Sequence, residues 1–166
     1  MMTGAGSGGA ALPASIHAGC IVIGPFGILL RGASGSGKSA LADVLVQHAR
    51  SGGHFAALVS DDRTVLARGG KGQLTARPAR NLEGLIEVRG AGIFRVPHEK
   101  AAVVRLAVDL LPPARIDRLP EWQITETVLE GVRVPRIEVA ENLPQEAIRR
   151  IRWAFLGLFP NSSGYL

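Results

Sequence analysis

Gly32-Ala33-Ser34-Gly35-Ser36-Gly37-Lys38-Ser39 is a complete G-x-x-x-x-G-K-[ST] segment, the spacing of a loop that wraps phosphate groups. Glycines let consecutive backbone N–H groups turn toward phosphate oxygens, and the start of a following helix adds partial positive charge. In that setting Lys38 reaches the outer phosphates of ATP, and the Ser39 hydroxyl is a hard oxygen ligand for Mg²⁺. Phosphoryl transfer further needs a carboxylate near the metal and a group that positions or deprotonates the nucleophile. Asp61 and Asp62 are candidates for both tasks. Adjacent carboxylates repel, which can make one of them a usable base, and the residue types leave open which. Alone, such a pair is more often a turn or a helix cap; the phosphate loop turns the reading toward chemistry.

Glu87 is a third acidic candidate, within Leu85-Ile86-Glu87-Val88-Arg89-Gly90-Ala91-Gly92-Ile93. Strand alternation puts Glu87 and Arg89 on one side and Ile86 and Val88 on the other, a pattern that a plain polar face explains better when the strand is taken alone. His17 is a lone histidine ahead of the loop, and by itself reads as structural. His48, His54 and His98 carry no motif. Cys20 is the single cysteine, so no internal disulfide is available, which suits a reducing cytoplasm.

The elements that must position these residues follow from periodicity. Ile16–Ile23 and Gly27–Arg31 are apolar runs separated by Gly24-Pro25, a hairpin signature. From Ser39 the spacing of Ala40, Leu41, Val44, Leu45, His48 and Ala49 predicts an amphipathic helix that Gly52-Gly53 ends. Phe55–Val59 reads as a buried strand delivering Asp61 and Asp62 at its C-terminal end, and it is expected to lie directly beside the strand that feeds the loop. Further strands are expected at Val65–Ala67, Gln73–Arg77, Leu85–Val88, Ile93–Val96 and Val103–Leu110. Ile124–Leu129 and Val132–Val139 form a hairpin about Glu130-Gly131, and Gln145–Leu156 a helix with Ala147, Ile148, Ile151, Ala154 and Phe155 on its apolar face. The fold class is α/β, with a mixed sheet containing several hairpins and a C-terminal helix.

The 166 residues leave room for one core, and 46% hydrophobic with 20% charged residues is an ordinary globular mixture. Residues 1–14 are Gly, Ala, Ser and Pro without periodicity and are expected to be a disordered leader to a single domain over 15–166. No apolar run is long enough to cross a bilayer, and no basic region opens a secretory signal, so no membrane association is expected. The net charge of +5 invites a nucleic-acid partner, but the basic residues are scattered and base-stacking aromatics are few. An anionic phosphorylated ligand explains the excess as well, and no nucleic acid is expected.

Taken together, His17 ahead of Gly27-Ile28-Leu29-Leu30, the loop, Val59-Ser60-Asp61-Asp62-Arg63, and Asn81–Val96 around Glu87-Val88-Arg89-Gly90-Ala91-Gly92-Ile93 resemble the HPr kinase/phosphorylase family. The resemblance covers Ile16 to Val96. It implies a P-loop kinase core of phosphoenolpyruvate-carboxykinase-like fold that transfers the ATP γ-phosphate to a serine of HPr, the phosphocarrier of the sugar phosphotransferase system. It also implies the reverse reaction with inorganic phosphate, a cytoplasmic location, and homo-oligomers, hexamers by resemblance. By the same resemblance Gly32, Ala33, Ser34, Gly35, Ser36, Gly37, Lys38 and Ser39 hold the nucleotide, and Ser39 and Glu87 serve Mg²⁺. Asp61 is implied to be the base for the acceptor serine, with Asp62 and Arg89 as supports and His17 near the transferred phosphate.

Two departures stand out. Family members often carry an N-terminal domain, and this chain is similar to the compact α-proteobacterial form. Where the family has Pro-Val-Arg-Pro-Gly-Arg-Asn, this chain has Arg136-Ile137-Glu138-Val139-Ala140-Glu141-Asn142, with acids at both arginine positions, so the kinase direction is expected to outlast phosphorolysis. The alternatives are a P-loop small-molecule or nucleoside kinase, which needs an arginine-bearing lid for which Arg63–Arg80 is a loose candidate, and a non-catalytic ATP-sensing module.

Overall fold

The structure, a computed structural model, describes residues 14–119, 123–162 and 164–166, so nearly all of the expected leader lies outside the described residues. Ten strands and two helices follow one another as β1 (Ser15–Ile23), β2 (Phe26–Gly32), α1 (Lys38–Ser51), β3 (Ala56–Ser60), β4 (Arg63–Arg68), β5 (Leu74–Pro78), β6 (Leu85–Val88), β7 (Gly92–Arg95), β8 (Ala102–Leu111), β9 (Thr125–Leu129), β10 (Val132–Ala140) and α2 (Pro144–Leu158). The two expected hairpins are β1–β2 and β9–β10, and the expected middle strands pair antiparallel as β4–β5 and β6–β7. The last turns through Glu130 and Gly131, both at positive φ (49° and 71°), the geometry of a tight two-residue hairpin loop. The Pro112-Pro113 stop after β8 becomes a short 3-10 turn, Pro113–Arg115.

The phosphate-loop strand β2 lies parallel to β8, and β8 lies parallel to β10. All three end at one edge, because Gly32 pairs with Leu110 and Ala140 with Leu111. One expectation needs correction: β3 pairs with β1, and β1 separates it from β2. Both pairings are antiparallel, so two reversals restore the direction, and β3 still delivers Asp61 to the edge where β2 delivers the loop.

The sheet buries both of its faces. On one side Ile28 and Leu30 of β2 and Leu106, Val108 and Leu110 of β8 pack under the apolar stripes of α1 and α2. The five residues expected for the α2 face, Ala147, Ile148, Ile151, Ala154 and Phe155, are its buried residues. On the other side the pairings β1–β4, β4–β5, β5–β8, β8–β2 and β2–β1 return to their starting strand and close a ring. Its interior holds mostly small side chains, among them Ala18, Cys20, Ala57, Ala76, Ala102 and Ala107, as a narrow closed sheet requires.

Cys20 is fully buried in this ring, and burial pushes its thiol up to about 12. The thiolate is the reactive form, so raising the pH to 10 should leave the folded protein unreactive toward iodoacetamide. Unfolding in guanidinium should expose one reactive thiol, measured by mass; rapid labelling of the folded protein would contradict the packing.

Candidate active site

The edge where β2, β8 and β10 end carries the phosphate loop and the start of α1. Gly37 precedes the helix at φ 90°, a backbone conformation that favours glycine, and so turns the chain into α1 without a side-chain cap. Gly32 is required by space: a Cβ there would stand 2.7 Å from Ser36 Oγ and 2.9 Å from the Leu110 carbonyl. The Ser36 hydroxyl is buried and is the one buried side-chain polar atom without a partner among the described residues. An anionic oxygen entering the loop would satisfy it.

Lys38 spans the loop from within. Its Nζ donates to the Gly32 and Ala33 carbonyls at 3.1 and 2.9 Å and contacts His17 Nε2 at 2.8 Å. An ammonium only donates, so Nε2 accepts, and the ring proton lies on Nδ1, which faces the Asp62 carboxylate at 2.8 Å. All of the ammonium's protons are therefore engaged, and a bound phosphate competes with His17 and the loop carbonyls for them. Burial lowers the pKa of Lys38 below its ordinary value, and the nearby Asp62 and Asp61 charges oppose that shift.

Asp61 is buried at the end of β3 and joins two elements. Its Oδ1 accepts from the Ser39 hydroxyl at 2.7 Å, and its Oδ2 accepts from the Glu87 backbone N–H at 3.1 Å. A buried hydroxyl pair sits just behind it: Ser60 Oγ lies 2.6 Å from Thr64 Oγ1, and Thr64 donates to the Ala18 carbonyl at 2.6 Å. These bonds tie β1, β3 and β4 together and hold the turn in which Asp62 adopts a left-handed φ of 62°.

The structure thus brings His17, Lys38, Ser39, Asp61 and Asp62 into two hydrogen-bonded arms joined along the chain. Glu87 is held there through its backbone, with its side chain exposed. Arg89 lies in the exposed turn after β6, and its guanidinium has no hydrogen bond or ion pair among the described residues, so it is not drawn into the cluster. Ser39 Oγ and the Asp61 carboxylate are hard oxygens in contact at the first turn of a helix, a donor set that fits Mg²⁺.

Two features had no chemical assignment from sequence. Asn142, in the turn from β10 to α2, donates its backbone N–H to the Ser36 carbonyl at 3.1 Å, and its Oδ1 lies 3.0 Å from where a Gly37 Cβ would stand. Its φ of 56° is one that asparagine tolerates better than other side chains. Next to the loop, Arg31 forks onto Asp109 at 2.6 and 2.9 Å, Asp109 also accepts from Arg136, and Arg136 pairs with Glu138. The acid at the first departing position is thus neutralised by its own strand. A charged residue preceding Gly32 was the available signal for this network; nothing local marks Asn142.

The sheet and loop define an α/β domain of the P-loop class. Residues 10–144 match the HPr Serine kinase C-terminal domain, and the chain belongs to that family. It is 31% identical over 147 residues to the HPr kinase/phosphorylase of Lactobacillus acidophilus, covering 82% of this chain and 42% of that protein. Against the HPr kinase/phosphorylase of Streptococcus thermophilus the identity is 34% over 135 residues, with 75% and 41% covered. The chain therefore spans less than half the length of these curated relatives. The solved HPr(Ser) kinase/phosphatase of Coxiella burnetii superposes with a TM-score of 0.73 at 26% identity, over 90% of this chain and 94% of that one.

The Asn142 contact has a measurable consequence. Asn142→Ala, which places an ordinary side chain at left-handed φ, should cost about 1 kcal/mol and weaken ATP binding, while Asn142→Gly keeps both near the unsubstituted values. Thermal unfolding and ATP titration of the two variants check this; equal ATP affinity in all three proteins would remove Asn142 from loop positioning.

Proposed function

We propose that this chain is the catalytic domain of an ATP-dependent protein-serine kinase that phosphorylates the phosphocarrier protein HPr. The observation that carries the reading is the buried Asp61 carboxylate, shared between the Ser39 hydroxyl of the phosphate loop and the Glu87 backbone. A carboxylate held against the phosphate loop supports Asp61 as the proton acceptor for a nucleophile attacking a loop-bound γ-phosphate. The names of the curated relatives and of the Coxiella burnetii structure support HPr as the acceptor.

In this reading the loop backbone and the Ser36 hydroxyl bind the phosphates of ATP, and Lys38 trades its carbonyl partners for phosphate oxygens. His17, held by Asp62, orients Lys38 and keeps it desolvated. Ser39, with Glu87 on the strand whose backbone bonds Asp61, would hold Mg²⁺, which when bound would neutralise charge developing on the transferred group. The acceptor serine oxygen forms a bond to the γ-phosphorus, the bond to the bridging oxygen of ADP breaks, and Asp61 takes the serine proton. The reading includes a cytoplasmic location and homo-oligomeric assembly; no described helix is long and apolar enough to cross a membrane.

In reverse, an inorganic phosphate oxygen attacks the phosphoserine phosphorus, the serine leaves with a proton from Asp61, and pyrophosphate forms. Glu138 is committed to Arg136, and Glu141, next in sequence to the Asn142 that bonds the loop, is a further acid, so neither position attracts the incoming phosphate. The kinase direction should therefore dominate.

Incubation of the pure protein with ATP, Mg²⁺ and HPr should add one phosphoryl mass to a serine of HPr. Asp61→Asn retains an acceptor for Ser39 but not the base, and should lower kcat by about a hundredfold or more with ATP affinity largely kept. No mass gain would overturn the reading, and a phosphorolysis rate equal to the kinase rate would overturn the directional part.

A further inference from the structure

The hairpin β6–β7 is a two-stranded sheet of its own, outside the eight-stranded sheet, and a hairpin of this size is marginal unless something packs on it. Its register pairs Glu87 with Ile93 and Ile86 with Phe94. Cross-strand partners share a face, so Ile93 stands beside Glu87 on one face, while Phe94 and the buried Ile86 share the other. All four residues of β7 are exposed. Ile93 is 71% exposed, Phe94 47% and Val88 44%, a concentration of bare apolar surface in a single short hairpin. Beneath Phe94 and Val88 a cavity of about 490 Å³, also lined by Val46 and Ile86, opens toward α1.

The position of this surface narrows what covers it. The hairpin is bonded to the site through the Glu87 N–H on Asp61, so the Ile93 face begins one cross-strand pair away from the residue in contact with the proposed base. A small acceptor reaching Asp61 would leave Ile93 bare. A protein presenting a serine to Asp61 must lay the surface around that serine over the hairpin. Arg89, with no ion pair among the described residues, and the exposed Arg95 put positive charge along the rim, which favours an acidic border on the partner.

We propose that β6–β7 is the docking surface for the acceptor protein, with Ile93, on the Glu87 face, seated on apolar side chains that flank its accepting serine and Arg89 facing acidic groups at the border. This rests on the protein-serine kinase reading above and adds to it where the acceptor is held.

The test is steady-state transfer to HPr by Ile93→Glu, an exposed position where folding tolerates the change, with Ile93→Ala as a milder second variant. Val128→Glu, on β9 and 63% exposed, is the control for a general effect of adding charge at an apolar surface position. The expected result is a rise of at least about tenfold in the KM for HPr with Ile93→Glu, a smaller rise with Ile93→Ala, and a KM for ATP within about twofold in both. Val128→Glu should behave like the unsubstituted protein. An unchanged KM for HPr in both Ile93 variants, an equal rise in Val128→Glu, or a parallel rise in the KM for ATP would overturn the docking surface while leaving the kinase reading intact. Absence of transfer by the unsubstituted protein would overturn the kinase reading, and the docking surface with it.

Discussion

A loop that turns its N–H groups inward for an anion points its carbonyls elsewhere, and with no phosphate bound those carbonyls take donors from the surrounding structure. Here the donors are Lys38, which takes Gly32 and Ala33, the Ser36 N–H, which also reaches Ala33, and the Asn142 N–H, which takes Ser36. The rest of the site follows from that requirement. Lys38 can lie across the loop only if the opposite wall supplies a further acceptor, and His17 does so because Asp62 fixes the ring with its lone pair toward Lys38. Asn142 can reach Ser36 only because β10 runs parallel to β8 and ends level with the loop.

The sheet is the means by which these ends are brought level. Two antiparallel pairings on β1 bring β2 and β3 into the same direction, so the loop and Asp61 emerge at one edge although the strands are not neighbours. Closure of β1, β4, β5, β8 and β2 into a ring then fixes their spacing, and the small side chains inside leave little room for one strand to shift against another. The helices seal the opposite face, and α1 carries Lys38 and Ser39 in its first turn. The candidate site thus sits on strand ends and a helix start, with the β6–β7 hairpin beside them as a sheet of its own.

Much of this was legible in the chain. The eight loop residues, the α1 periodicity, the first and last hairpins and the buried stripe of α2 are local patterns, set by residue type and spacing along one element. Asp61, Asp62 and Glu87 were legible as candidates, His17 read by itself as structural, and only the family resemblance gave each a role. What stayed hidden is non-local. The Ser36 to Asn142 bond joins residues far apart in sequence through one backbone group each, and a backbone N–H leaves no mark on residue type. The Arg31, Asp109, Arg136 and Glu138 network draws on three strands whose adjacency is not written in any one of them.

The sequence by itself determined that a phosphate loop sits between a strand and a helix, because glycine, lysine and serine at that spacing meet a local requirement of backbone freedom and charge. It also determined which faces of the helices are apolar. Tertiary structure alone decided that β1 stands between β2 and β3, that Asp61 rather than Asp62 meets Ser39, and that Glu87 joins through its backbone while Arg89 stays exposed. Adjacent carboxylates are chemically alike in sequence. They are told apart by strand direction and by the left-handed turn at Asp62, which sends one side chain to the loop and the other to His17.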